Sequence, residues 1–90
     1  MRFGTLSGLG KLLSVLQSTI LKEKSTILGA ADEFEDALRA LASALTPATM
    51  SRRKAIRVAC ELALGMVSVN GGPSEFPQLC QVIDSFSREE

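Results

Sequence analysis

Every seventh residue from Leu6 to Ile83 is apolar: Leu6, Leu13, Ile20, Ile27, Phe34, Leu41, Ala48, Ala55, Leu62, Val69, Phe76 and Ile83. A seven-residue repeat returns each member to nearly the same face of an α-helix. The pattern therefore predicts an all-helical chain. Pro47 and Pro73 lie within the stripe and exclude one continuous helix. Positions three residues further on are interrupted at Glu23, Ser51, Gly65 and Gly72, so the stripe reads as the core faces of several short helices and not as a coiled-coil seam.

Local signals divide the chain into four helices, at about 5–24, 30–45, 47–69 and 75–86, within a single helical domain spanning 1–90. In the first, Leu6, Leu9, Leu13, Leu16 and Ile20 alternate spacings of three and four, which makes an apolar seam. A break is expected between Lys24 and Ala31, with Gly29 ending one helix and Ser25 capping another. The cluster Asp32, Glu33, Glu35 and Asp36 suits the positive end of the second helix dipole. Phe34, Leu38, Leu41 and Leu45 would form its inner face. Thr46-Pro47 reads as the cap and first position of the third helix. The second half of that helix is apolar almost all round, with only Arg57, Glu61, Gly65 and Ser68 as a polar stripe. Such a helix is expected at the centre of a bundle or in a dimer interface. Asn70-Gly71-Gly72-Pro73 is a stop and turn. Ser74 would cap the last helix, with Phe76, Leu79, Cys80, Ile83 and Phe86 facing inward.

Composition sharpens this picture. Apolar residues make up 46% of the chain, and its only aromatics are four phenylalanines. A Leu/Ala/Val/Ile core suits a small three- or four-helix bundle. One core in ninety residues is marginal, and oligomerisation is a common remedy, so a helical homodimer is expected. Ten basic and ten acidic residues cancel. The chain as a whole is then no electrostatic nucleic-acid binder, and such a role would need a local cluster. Cys60 and Cys80 are expected as buried thiols in a reducing compartment, which points to a cytoplasmic, intracellular protein. No run reaches the roughly 20 apolar residues of a membrane span.

Candidate chemistry is sparse. Without histidine, neither cysteine nor any serine has an imidazole partner, and no enzyme activity is expected. Two cysteines cannot complete a four-ligand zinc site, and the acidic run lacks the spacing of a calcium loop. Gly8-Leu9-Gly10-Lys11 resembles the end of a phosphate loop, but Thr5 and Leu12 stand where that pattern needs Gly and Ser or Thr. No cofactor or metal is expected.

The segment Ser51-Arg52-Arg53-Lys54-Ala55-Ile56-Arg57 carries four of the ten basic residues. It lies near a helix start, where positive charge opposes the dipole. Local stability therefore does not account for it. Either it pairs with the acidic cluster at 32–36, or it contacts phosphates; double-stranded RNA is read largely by shape, so a helical face can suffice. In plan, apolar helices with one basic helical segment, the chain resembles the small dimeric helical silencing suppressors of some insect viruses. The resemblance is of architecture and charge, without a shared motif, and implies duplex RNA binding by a dimer.

The leading expectation is a non-enzymatic helical interaction and regulatory module. It would self-associate, or bind another helical protein, through Leu9, Leu13, Leu16, Ile20, Leu62, Met66 and Val69. The alternative is duplex nucleic-acid binding, RNA or DNA, by a helical dimer through Arg52, Arg53, Lys54 and Arg57.

Overall fold

A computed structural model describes the backbone of residues 4–49 and 51–89, and the side-chain surroundings of residues 8–45 and 51–89. Four α-helices follow one another: α1 (Gly4–Lys24), α2 (Ala30–Thr49), α3 (Arg52–Val69) and α4 (Pro77–Ser87). A short 3-10 turn, Pro73–Glu75, precedes α4. No strand occurs among the described residues.

The α1–α2 connection departs from expectation. Gly29 does not end α1. The chain leaves α1 through Thr26, whose φ of 57° is left-handed. The Ile27 N–H donates to the Lys22 carbonyl at 2.9 Å, and the Thr26 N–H to the Glu23 carbonyl at 2.9 Å. This pair of bonds is the Schellman arrangement, here built on a β-branched residue where glycine is usual. Ser25 still donates back to Leu21 and Lys22, so it closes α1 and does not cap a new helix. Gly29, with φ of 84°, instead opens α2 and accepts the Glu33 N–H at 3.0 Å. Asp32 and Glu33 then occupy the first turn of α2, as the dipole favours.

The second boundary also moves. Thr46-Pro47 does not start α3, because α2 continues through it to Thr49. So close to a helix end, a missing proline N–H removes only one ladder bond. The working cap is Ser51, whose extended backbone (φ −69°, ψ 161°) lets Oγ accept the Lys54 N–H at 3.3 Å. The predicted stop at residues 70–73 is present. Asn70 closes α3, and Gly72, at φ of 98°, turns the chain so that its N–H reaches the Val67 carbonyl at 3.0 Å. Ser74 lies in the 3-10 turn and does not cap α4, which begins with Pro77 at its first position after Phe76.

Packing centres on α2, which lies against α1, α3 and α4. Phe34, Leu38 and Leu41 of α2 are buried in one cluster with Leu16 and Ile20 of α1, Ile56, Ala59, Ala63 and Val67 of α3, Phe76 just before α4, and Leu79, Ile83 and Phe86 of α4. Of the two places expected for α3, the centre of the bundle is taken by α2 instead. α1 packs mainly on α2 and only lightly on α3. One side of α3 is left toward solvent. Three stripe members on α3 show why: Ala55 is 0% exposed, Leu62 40% and Val69 86%. Each seven-residue step falls about 20° short of two full turns. The stripe therefore walks out of the core along α3.

Two long-range clamps complete the bundle. Gln17 and Asn70 exchange amide hydrogen bonds, each of 3.0 Å, between α1 and the end of α3. Arg39 of α2 pairs with Glu35 at 2.9 Å and Glu89 at 2.6 Å, and its guanidinium lies 5.2 Å from the Phe86 ring centroid. These contacts hold the C-terminal residues on α2.

Candidate functional site

Both predicted surfaces lie wholly or partly on α3. Arg52, Arg53, Lys54 and Arg57 are all exposed over its first two turns. Arg53 and Arg57, four residues apart, share a face. Arg52 stands close enough to Glu89 to help hold that carboxyl below its usual range, after the larger effect of the Arg39 hydrogen bond. Within the acidic cluster, Glu33 pairs with Lys22 at 2.8 Å and Glu35 with Arg39. α3 has no acidic residue in its first turn and no basic residue in its last. Its own charges therefore oppose the dipole at the N-terminal end and leave the C-terminal end without a cation from the helix itself.

The seven residues expected on an apolar face divide. Leu16 and Ile20 are fully buried within the chain's own core, so they present no surface to a partner. They lie on the side of α1 that α2 covers, which the seam spacing alone could not distinguish from an outer side. Leu9, Leu13 and Met66 are half-buried at the edge of that core. Leu62 and Val69 are exposed. One turn before the Gln17–Asn70 pair stand Leu13 on α1 and Met66 on α3, so these border the same shallow α1–α3 seam.

The sequence reading missed an outer line on α3. Val58, Leu62, Gly65 and Val69 are spaced four, three and four, the rhythm of helix-on-helix packing. Val58 is half-buried, the other three are exposed, and a Cβ at Gly65 would meet nothing within 4 Å. No charge interrupts the line, and Lys54 continues it one turn earlier. Its spacing was visible in the sequence, but Gly65 counted there as polar. Further apolar side chains at or near the α1–α2 turn, Leu21, Ile27 and Leu28, are also exposed, Leu28 at 96%.

The remaining chemistry is modest. Cys60 and Cys80 form no disulfide; Cys60 is buried and Cys80 half-buried. Cys60 Sγ lies 3.7 Å from the Ile83 carbonyl, and Cys80 Sγ 3.8 Å from that of Pro73. Among the described residues, no group of three or more potential ligands could hold a metal, and no buried side-chain nitrogen or oxygen lacks a hydrogen-bond partner. No helix among them is long and apolar enough to cross a membrane.

The chain matches no protein-family model, and no curated protein or solved structure matches it. Function is therefore argued from these surfaces alone.

Proposed function

We propose that this protein is a non-enzymatic helical interaction module that self-associates through the apolar side of α3 bordering α1. The observation that carries the reading is the exposure of Leu62 and Val69 among the described residues, on a charge-free line of α3. Apolar surface of this kind marks protein contacts. A neutral face also meets its own copy without like-charge repulsion, as a two-fold interface requires. Leu9, Leu13 and Met66 form the edge of the face. A regulatory role would follow from competition between self-association and a second helical partner. Two cysteines that form no disulfide suit a reducing compartment, in keeping with a cytoplasmic location. Light scattering tests the reading. The expected mass is twice the 9.6 kDa of one chain at micromolar concentration. A stable monomer at all concentrations and salt levels refutes it.

A second reading rests on the exposure of Arg52, Arg53, Lys54 and Arg57 in two consecutive turns. As a phosphate-contacting patch, doubled in a dimer, it would bind double-stranded RNA or DNA through the backbone. Binding would fall steeply with salt and weaken on Arg53→Ala or Arg57→Ala. Absence of any gel shift with either duplex at low salt removes this reading.

A further inference from the structure

We infer that the self-associated form is built on an antiparallel pair of α3 helices, crossing about a two-fold axis midway between Leu62 and Gly65. The inference rests on the self-association proposed above and specifies its geometry. Two observations lead to it.

The first is the register of the outer line. Val58, Leu62, Gly65 and Val69 are symmetric about the point between Leu62 and Gly65. In an antiparallel pair, Val58 of one copy therefore faces Val69 of the other, and Leu62 faces Gly65. Leu62 thus meets a position where a Cβ would find nothing within 4 Å. The two leucines fill the two glycine gaps, and the glycines let the backbones approach to about 8 Å, the close end of helix packing. A parallel pair would set Leu62 against Leu62 and leave a gap where Gly65 meets Gly65.

The second is charge. The first turn of α3 holds Arg52, Arg53 and Lys54, and its last turn holds no cation. Lys24 of α1 reaches the Asn70 carbonyl only at 3.5 Å, the limit of a hydrogen bond. Within one chain the basic turn opposes the dipole. In the antiparallel pair, Lys54 comes past Val58 toward the C-terminal end of the other copy's α3, the negative pole of that helix dipole. Glu75, exposed in the turn that follows, adds a full negative charge at the same end. Lys54, exposed at the basic end of the helix, thus acquires a complement twice per dimer.

The test is sedimentation equilibrium on the full chain and three variants. Gly65→Glu places a carboxylate opposite Leu62 in the pair, yet in the monomer it only replaces an exposed helical glycine with a better helix former. It is expected to weaken the dimer by roughly tenfold or more while the helical circular dichroism and thermal stability of the dilute protein are not lowered. Lys54→Glu is expected to weaken it less, and wild-type affinity to fall with added salt. Leu21→Glu, on α1 away from the line, should leave it unchanged. A label on Lys54→Cys, with Cys80→Ser, reports orientation. At 1.5 Å per residue the two labels lie roughly 30 Å apart along an antiparallel pair, and side by side in a parallel one. A wild-type dimer indifferent to Gly65→Glu, or with adjacent labels, overturns the arrangement while leaving self-association standing. A monomeric wild type overturns both.

Discussion

The reciprocal amide pair between Gln17 and Asn70 is the most informative place to perturb the bundle. It joins residues 53 apart in sequence at the point where α1 and α3 otherwise touch lightly. Gln17→Ala deletes both 3.0 Å bonds and leaves Asn70 its bond to the Met66 carbonyl at 2.7 Å. A neutral hydrogen bond contributes about 0.5–1.5 kcal/mol net, and half-burial lets water recover part of the loss. The single variant should therefore cost about 1 kcal/mol. Asn70→Ala also removes the capping bond to Met66 and should cost more, about 2 kcal/mol. The double-mutant cycle cancels the cap and isolates the pair, for which a coupling of about 1 kcal/mol is expected. Urea denaturation at fixed protein concentration measures it from the midpoint shift at constant slope. A coupling below about 0.3 kcal/mol lies within ordinary additivity. It would mean that the pair does not hold α1 to α3, and the account of this seam would fail.

Three further outcomes are expected. Gly65→Ala adds a methyl into open space in mid-helix, and should stabilise the monomer by about 0.5–1 kcal/mol in the same urea titration. Thr26→Gly relieves a left-handed β-branched residue, a conformation costing about 1–2 kcal/mol, against the extra unfolded-state freedom of glycine; a net rise in melting temperature is the expected sign. The Glu89 carboxyl is held below its ordinary range, first by the Arg39 hydrogen bond. A depressed folded pKa contributes stability above the ordinary carboxylate range and loses it as pH falls through the folded value. Acidification should therefore lower the amide-exchange protection factors at Ser87–Glu89 before the core opens, and Glu89→Gln should abolish that loss of protection.

The elements that local chemistry decides were legible in the sequence. Asn70-Gly71-Gly72-Pro73 required a turn, and the inward spacing of Phe76, Leu79, Ile83 and Phe86 is what the core uses. Thr46-Pro47 misled because a proline that begins a helix and one in a helix's closing turn look alike in one dimension. Ser51 offered the competing cap four residues later. The identity of the central helix was not legible either. Apolar residues around α3 serve two lines, one inward through Ile56, Ala63 and Val67, the other outward through Leu62 and Val69. Residue type alone does not say which line a neighbour covers. Arg39–Glu89 and Gln17–Asn70 span 50 and 53 residues, distances at which no sequence spacing gives warning.

The central position of α2 carries a consequence for how the molecule comes into being. Synthesis delivers the middle of the bundle second and its cover last. As α2 emerges, Phe34, Leu38 and Leu41 have only α1 to lie against, and Phe76, Leu79 and Phe86, which finish their enclosure, arrive some forty residues later. Until then the chain is an open half-core. The final contact, Arg39 with Glu89, forms only when the other end of the bundle is complete. A nascent chain stalled anywhere before α4 would present its most adhesive residues to the surrounding solution.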